Sequence, residues 1–300
     1  MPADAPRPTL VLDSPSLLYR AFFALPATIR DAQGRPVNAV RGYLDMVAHL
    51  VRSRLPRTVV HTFDNDWRPA FRVAAYPGYK ADRRPDPPEL PPQLALLHEV
   101  LAAAGLPVAD AEGYEADDVI GTLATRATAA QPMEIVTGDR DLLQLVRDPE
   151  VAVLFTVKGV KELRRFDEAE VERAYGVPPR LYADLATLRG DSSDGLPGIA
   201  GVGPKTAATL LTRHGSLDAL RRADDLTPRM AAALQAQSDY LDAMGTVVPV
   251  ATDVPVRMSQ QRPPDHATLQ RLAAERALQG SVDRLEAAMA LIGHGDPAAQ

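Results

Sequence analysis

The sequence predicts an α/β protein with a mostly parallel central sheet flanked by helices. Short apolar runs near residues 9–13, 57–64, 133–139 and 151–157 have the length and composition of buried strands. Helical patterns separate them, as in residues 38–54, where apolar residues recur every three or four positions. Strands that alternate with helices indicate a mostly parallel sheet. A chain of 300 residues with 46% apolar residues can form one such domain with a smaller module attached.

Three of the strand-like runs end on an aspartate, namely Asp13, Asp64 and Asp139. Because the carboxyl ends of parallel strands open onto one crevice, we expect these carboxylates to converge. Clustered carboxylates need a cation. The chain has no cysteine, which excludes disulfides, thiolate zinc sites and a cysteine nucleophile and leaves oxygen ligands for a hard cation such as Mg²⁺ or Mn²⁺.

Further acidic groups lie where other elements begin or end. A helix with an inner apolar stripe begins at Glu115, Asp117 and Asp118. Asp141 follows Asp139 on a strand-to-helix turn, and residues 191 and 194 are aspartates that would share one face of a helical turn. One or two such acids could simply cap a helix. All of them together exceed the needs of one ion and predict a multi-metal phosphoryl-transfer site.

The regular pattern breaks between Asn65 and Pro92, in a segment rich in proline, arginine and aromatic residues. We interpret this segment as a projecting lid or arch. Lys80, Arg83 and Arg84 have the spacing that would place them on one face of a helical turn. An ordinary solvated face is the alternative interpretation of these three residues.

From Pro178 onward the sequence becomes helical, and two helical runs flank a glycine-rich loop. Gly201 and Gly203 form a tight turn before the second run, so backbone N–H groups there could approach a phosphate. Pro204 is expected to be the first residue of that helix, and Gly215 its C-terminal cap. Residues 246–256 are either a last strand or an extended strap, and residues 280–293 are a final helix.

The charge balance and the N-terminus limit the class of protein. The polar, proline-rich start precedes an apolar run too short for a signal peptide or anchor, and no apolar stretch reaches spanning length, so we expect a cytoplasmic protein. A net charge of −6 argues at first against a nucleic-acid partner. Setting aside the nine candidate ligands reduces the 39 acidic residues to 30, against 33 basic residues, so the remaining surface is mildly positive.

The ordered motifs carry a resemblance. Matching strings are VLDSPSLLYRAF, TFD, YKADRRP, GYEADDVIGTLA, TGDRDLLQLV, YGVPP, LRGDSSDGLPGIAGVGPKTA and TDVP. In this order they resemble the 5′-nuclease (flap endonuclease) superfamily over nearly the whole chain, in particular the 5′→3′ exonuclease domain of bacterial DNA polymerase I. The resemblance implies a PIN-like 5′-nuclease core over residues 8–177 with a helical arch at about 66–95. It further implies a C-terminal helix-hairpin-helix DNA-binding module and strap over 178–300. No polymerase sequence follows, so we expect a stand-alone protein.

The resemblance also assigns roles to single residues. It implies nine metal-binding acids: Asp13, Asp64, Glu115, Asp117, Asp118, Asp139, Asp141, Asp191 and Asp194. Lys80 and Arg83 would grip the scissile phosphate. Arg20 matches a further phosphate-contacting position, although a structural salt bridge would explain it equally well. Tyr79 would stack on an unpaired base. The remaining DNA contacts, which read no sequence, would come from Arg84, Gly201, Gly203, Lys205 and Thr206.

The chain departs from the family pattern at a few positions. Ser14 and Pro15 stand where the family usually has glycine and serine, and Gly195 replaces its usual asparagine. Pro204 occupies a position where an acidic residue is frequent. None of these positions is a predicted metal ligand.

These features predict a structure-specific 5′→3′ exonuclease or flap endonuclease that uses two or more Mg²⁺ or Mn²⁺ ions, with K⁺ at the hairpin loop. A water activated by one cation would attack in line while a second cation, about 4 Å away, stabilises the leaving 3′-oxygen. The products would carry 5′-phosphate and 3′-hydroxyl. We expect a monomer that acts away from membranes on DNA with a 5′ end, flap or gap, or on an RNA–DNA hybrid, in Okazaki-fragment processing and repair.

Three other functions are alternatives to this nuclease. A haloacid-dehalogenase-like phosphatase needs a second aspartate two residues after Asp13, where Pro15 stands. A catalytically inactive DNA-binding scaffold would bind DNA without Mg²⁺-dependent cleavage. A PIN-type ribonuclease shares the acidic crevice but is usually shorter and lacks the glycine hairpin.

Overall fold

A computed structural model of the chain describes residues 6–292. Seven strands form one sheet within this range: β1 (Thr9–Asp13), β2 (Thr58–Thr62), β3 (Val108–Asp110), β4 (Met133–Thr137), β5 (Val151–Thr156), β6 (Leu163–Phe166) and β7 (Arg257–Met258). The strand order is β6-β5-β4-β1-β2-β3-β7. The five inner strands are parallel, and β6 and β7 pair antiparallel at the two edges. The mostly parallel sheet predicted from sequence is therefore confirmed.

Strand β1 lies in the middle of the sheet, and its register aligns the acidic ends of its neighbours. Asp13 pairs with Thr62 on β2, and Leu12 pairs with Val136 on β4. Asp64 is the second residue after β2, and Asp139 is the second residue after β4. The three aspartates are thus brought to one edge of the sheet, as the carboxyl ends of parallel strands must be.

Helices cover both faces of the sheet. They are α1 (Ser14–Ala24), α2 (Asn38–Arg54), α3 (Ala70–Ala75), α4 (Leu90–Ala103), α5 (Ala116–Ala124), α6 (Glu168–Tyr175), α7 (Tyr182–Arg189), α8 (Pro204–His214), α9 (Leu217–Arg221), α10 (Pro228–Ala236), α11 (Ser238–Val247), α12 (His266–Glu275) and α13 (Gln279–Met289). Val11 of β1 packs in a core with α5 to α8, whereas Leu10 and Leu12 pack with α1, α2, α4, α12 and α13. Burial of both faces explains the continuous apolar strands. Within residues 6–292, no helix is both long and apolar enough to cross a membrane.

The C-terminal part matches several expectations. Pro204 is the first residue of α8, and Gly215 ends this helix in the left-handed conformation with its N–H bonded to the Leu211 carbonyl. The final helix is present as α13. Residues 246 and 247 of the predicted strand or strap end α11, and residues 248–256 form an irregular strap with bends rather than a strand. After this strap, α12 and α13 return to the sheet domain, where Arg284 donates a 2.8 Å hydrogen bond to Asp45 of α2.

The arch segment differs from the helical turn expected for its basic residues. Between α3 and α4 the chain forms turns over residues 77–82 and is then extended, so Lys80, Arg83 and Arg84 share no helical face. Prolines at positions 77, 85, 87 and 88 remove backbone donors and prevent a helix from continuing through the segment. The stretch 191–194 is likewise no helical turn, because backbone hydrogen bonds between Asp191 and Leu196 close it as a tight loop.

Candidate active site

Asp13 is held at the end of β1 by two donors. Its carboxylate accepts a 3.2 Å hydrogen bond from the Ser16 N–H, which caps α1, and a 2.5 Å bond from the Thr137 hydroxyl. The same hydroxyl accepts a 2.8 Å bond from the N–H of Asp139. Burial raises the pKa of Asp13 to about 7, and the nearby charges of Asp139 and Asp64 add to the effect.

Asp64 and Asp117 bring the second strand end and the start of α5 to the same place. Asp64 accepts a 2.8 Å hydrogen bond from the N–H of Ala116, which ties the end of β2 to α5. Burial raises the pKa of Asp117 well above its ordinary value, and the charges of Asp139 and Asp13 raise it further. No hydrogen bond from residues 6–292 reaches the Asp117 carboxylate.

A second group of acids comes from the turn after β4 and from the loop after α7. Asp141 begins a 3₁₀ turn (Asp141–Leu145), and its pKa is raised well above the ordinary value by burial and by the charges of Asp139, Asp194 and Asp191. Burial likewise raises the pKa of Asp194, and Asp139 adds to this. The charge of Asp139 therefore acts on both groups, the acids of the sheet and those of the helical module.

The donor set fits divalent hard cations. Every candidate ligand is a carboxylate, and the carboxylates of Asp117, Asp141 and Asp194 accept no hydrogen bond from the described part of the chain. A cation would relieve the repulsion that raises their pKa values, and Mg²⁺ or Mn²⁺ prefers such oxygen ligands. As the side chains stand, no three acidic or histidine residues among residues 6–292 are close enough together to enclose one ion.

Glu115 and Asp118 take part in a buried ion-pair network instead. Glu115 caps α5 and Asp118 is its third helical residue, and the two form a reciprocal capping box. Arg72 of α3 donates to both carboxylates, at 2.6 Å to Glu115 and at 2.6 and 2.7 Å to Asp118. Lys80 pairs with the other oxygen of Glu115. No local pattern in the sequence marks Arg72, because its partners lie more than 40 positions along the chain.

The arch residues are placed close to these acids. The Tyr79 hydroxyl donates a 2.7 Å hydrogen bond to Glu115, and its ring is only 4% exposed, so base stacking by Tyr79 stays a prediction that needs the ring to move. Lys80 has a left-handed backbone, and its N–H donates a 2.9 Å bond to the Asp194 carbonyl. Arg83 is exposed, and its charge lowers the pKa of Asp64 and Asp194 against the stronger effect of burial, which raises both. Arg84 is exposed.

Arg20 lies beside the turn that follows β4. Its guanidinium donates a 3.1 Å hydrogen bond to the Thr156 carbonyl, and one of its terminal nitrogens would be 3.1 Å from a Cβ placed on Gly138. No carboxylate in residues 6–292 forms a salt bridge with Arg20. The structural salt bridge considered as its alternative role is therefore not found there.

The glycine hairpin presents a free helix N-terminus. Gly201 has a positive φ of 77°, and Gly203 caps α8, whose first turn exposes Lys205 and Thr206. Gln237, which precedes α11, was not predicted from sequence. Its side chain fixes the glycine hairpin loop with two hydrogen bonds: it accepts a 2.9 Å bond from the Ala200 N–H and donates a 2.8 Å bond to the Gly198 carbonyl.

Comparisons with known proteins show which family the chain belongs to. Residues 8–176 match a family model described as "5′-3′ exonuclease, N-terminal resolvase-like domain", and residues 177–270 match one described as "5′-3′ exonuclease, C-terminal SAM fold". The chain is 44% identical to a 5′-3′ exonuclease of Mycobacterium tuberculosis over 94% of this chain and 98% of that protein. It is 46% identical to a 5′-3′ exonuclease of Streptomyces coelicolor over 92% and 98%, respectively.

More distant matches have the same fold. DNA polymerase I of Mycobacterium bovis is 41% identical over 97% of this chain, which spans 33% of that polymerase. A flap endonuclease of bacteriophage T5, solved as a pseudo-enzyme-product complex with DNA and metal ions, superposes with a TM-score of 0.64 at 16% identity. That match covers 95% of this chain and 99% of the phage protein. The resemblance stated from the motifs is confirmed, and the chain belongs to the 5′-3′ exonuclease family of nucleases.

Proposed function

We propose that the chain is a divalent-metal-dependent, structure-specific 5′→3′ exonuclease and flap endonuclease that leaves 5′-phosphate and 3′-hydroxyl ends on DNA. One observation carries the proposal: the charge of Asp139 raises the pKa of Asp117 beside the sheet and of Asp194 in the helical module. A crevice with two acidic groups that share one member suits two cations acting on one phosphodiester.

The cations, Mg²⁺ or Mn²⁺, would activate the attacking water and offset charge on the leaving oxygen. Residues of the chain would bind the cations and stabilise the phosphate. Asp117, Asp141 and Asp194 offer carboxylates that no described protein donor occupies. Lys80 and Arg83 lie at the rim, where their positive charges can stabilise the phosphate as negative charge develops in the transition state.

The helical module would bind the duplex. The N-terminus of α8 presents free N–H groups and Lys205, which suits a phosphate contact that positions DNA without reading its sequence. The similar phage structure contains DNA and metal ions, which supports a nucleic-acid substrate. We further propose K⁺ at the hairpin loop, a monomeric cytoplasmic enzyme, and roles in Okazaki-fragment processing, RNA-primer removal and repair.

The test compares cleavage of a 5′-labelled flap with blunt, gapped and RNA-primed duplexes, with and without Mg²⁺ or Mn²⁺. Asp139→Asn and Asp141→Asn should abolish cleavage while DNA binding persists. Asp283→Asn, an exposed position on α13, is the matched control and should cleave like the unchanged chain. Binding without metal-dependent cleavage by the unchanged chain would instead favour an inactive scaffold, and cleavage of RNA alone would favour a ribonuclease.

A further inference from the structure

Arg72 is a buried arginine whose hydrogen bonds all end on protein acceptors. Its side chain is 3% exposed. Besides its bonds to Glu115 and Asp118, it donates at 3.0 Å to the Val247 carbonyl and at 3.4 Å to the Pro249 carbonyl. It therefore joins the arch helix α3, the start of α5 and the chain that leaves α11. A guanidinium is always charged in proteins, so this positive charge is permanent.

Asp118 has no oxygen left for another partner. Its Oδ1 accepts from Arg72 and, at 2.9 Å, from the Ala251 N–H. Its Oδ2 accepts from Arg72 and, at 3.3 Å, from the Glu115 N–H. A carboxylate offers about four lone-pair sites, and protein donors occupy all of them. The side chain is completely buried.

Asp117, the residue immediately before it, has the opposite surroundings. It is partly exposed, and no hydrogen bond from residues 6–292 reaches its carboxylate. Its charged neighbours include Asp139 and Asp13, which also border the acidic crevice. The two aspartates thus lie on one helical turn. Protein donors use every acceptor site of Asp118, and no donor from the described residues uses a site of Asp117.

We infer that Asp118 is not a metal ligand, although the family motif fills its position with an acid. Asp117 alone carries the metal-binding function of this aspartate pair, and Arg72 with Asp118 is a positioning pair for it. A cation on Asp118 would have to displace a buried guanidinium, which would leave Arg72 with Glu115 as its one remaining carboxylate partner among the described residues and bring its charge close to the cation. This inference rests on the proposed metal-dependent function, because it divides the acids of that same site.

The positioning pair also connects the two acidic groups. Arg72 and Asp118 bond to residue 247, the last of α11, and to residues 249 and 251 in the segment after it. Asp191 and Asp194 belong to the loop between α7 and α8 of the same module. The pair therefore sets the position of Asp117 relative to the second group of acids.

The test is Mn²⁺ binding to the metal-free full chain, measured by calorimetry and by electron paramagnetic resonance, beside thermal unfolding. Asp117→Asn should lose one bound Mn²⁺, or weaken it at least 100-fold, with an unchanged or higher melting temperature. Asp118→Asn should keep the number of bound ions while its melting temperature falls. Arg72→Lys should behave like Asp118→Asn, since lysine cannot hold both carboxylate oxygens in one plane.

The double variant Arg72→Met/Asp118→Leu distinguishes the loss of a metal ligand from simple unfolding of the protein. It replaces the buried ion pair with apolar side chains of similar length, an exchange that proteins often tolerate, and Glu115 keeps Lys80 and Tyr79 as partners. The double variant should bind as many Mn²⁺ ions as the unchanged chain, but the ion held by Asp117 should bind more weakly, by less than the 100-fold expected for Asp117→Asn, because its positioning pair is gone. Loss of an ion in the folded double variant, to the extent seen in Asp117→Asn, would overturn the inference. If the unchanged chain binds Mn²⁺ but cleaves no nucleic acid, the proposed function is wrong. The separate roles of Asp117 and Asp118 are still decided by the Mn²⁺ binding of the variants.

Discussion

The Thr137 hydroxyl donates a 2.5 Å hydrogen bond to the Asp13 carboxylate, and these two residues end neighbouring parallel strands. The hydroxyl uses its own acceptor capacity for the N–H of Asp139. One small side chain therefore orients two of the acids in the crevice. Because its bond to Asp13 favours the ionised carboxylate, it opposes the burial that raises the pKa of Asp13 to about 7.

Thr137→Val should shift the pH dependence of cleavage. Valine has nearly the same shape but cannot donate, so the pKa of Asp13 should rise above about 7 and the acid limb of the rate profile should move to higher pH. A rise of this pKa from about 7 to about 8 would lower the ionised fraction of Asp13 at pH 7, and with it the rate, about fivefold, and alkaline buffer would restore the rate. Single-turnover rates across pH test this. The control is Thr156→Val on β5, where the hydroxyl has no partner in the described structure; equal profiles for both variants would refute the role of Thr137.

The metal-free protein should lose stability as the pH rises from about 4 to about 7. The pKa of Asp13 is 3.8 in the unfolded chain and about 7 in the folded one, so the folded state binds more protons within this window. Stability therefore falls with pH until Asp13 is ionised in both states. Asp13→Asn should flatten the dependence of stability on pH and raise the melting temperature at pH 8. Added Mn²⁺ should raise the melting temperature of the unchanged chain strongly and that of Asp13→Asn only weakly. Thermal unfolding at pH 5 and pH 8 in the presence of a chelator checks this, and a slope unaffected by Asp13→Asn would contradict it.

Sequence reasoning located the strand ends and their acids because both depend on short-range patterns. It could not find Arg72, since an arginine in an irregular segment acquires its meaning only from partners that the fold brings near. Strands β3 and β7 are three and two residues long, too short for any periodicity. The turns around Lys80 were missed for a related reason: the spacing of basic residues suits a helix, but the surrounding prolines exclude one.

Lys80→Ala should slow the chemical step more than it weakens DNA binding. The ammonium group is held against Glu115 beside the acidic crevice, where its charge can favour the transition state over the bound substrate. We expect a loss of about 10²-fold in the single-turnover rate with little change in affinity. Glu115 retains Arg72 and Tyr79, so the fold should persist. Lys158→Ala, in the exposed turn after β5, provides the control; an unchanged rate in Lys80→Ala would exclude a role for Lys80 in the reaction.

Lys205→Gln should reduce the salt dependence of DNA affinity. Lys205 is exposed on the first turn of α8, where one phosphate contact would release about one counterion. The slope of log affinity against log salt should become shallower by about 0.9, and the loss of affinity should be similar for unrelated sequences. Fluorescence anisotropy from low to moderate salt measures both. An unaltered slope, equal to that of Lys158→Gln, would place Lys205 outside the DNA contact.

Gly195→Ala should separate the arch from the helical module. Gly195 has a positive φ of 72°, and a Cβ there would lie 2.5 Å from the Gly78 carbonyl oxygen, so the arch would have to move. The adjacent hydrogen bond from Lys80 to the Asp194 carbonyl would then stretch or break. The asparagine usual in the family would meet the same obstacle in this chain. Gly34→Ala is the matched control, because Gly34 has a φ of 78° but nothing within 4 Å of the added carbon.

Both variants should lose about 1 kcal/mol to the left-handed backbone. Gly195→Ala should lose about 1–3 kcal/mol more in urea unfolding, because its methyl group enters a filled space. It should also lower the single-turnover rate, which Gly34→Ala should not. The rate effect should largely vanish in a Lys80→Ala background, since a displaced arch acts through the position of Lys80, and contacts of this kind are not additive. Full additivity of the two rate losses would show that Gly195 affects cleavage by another route.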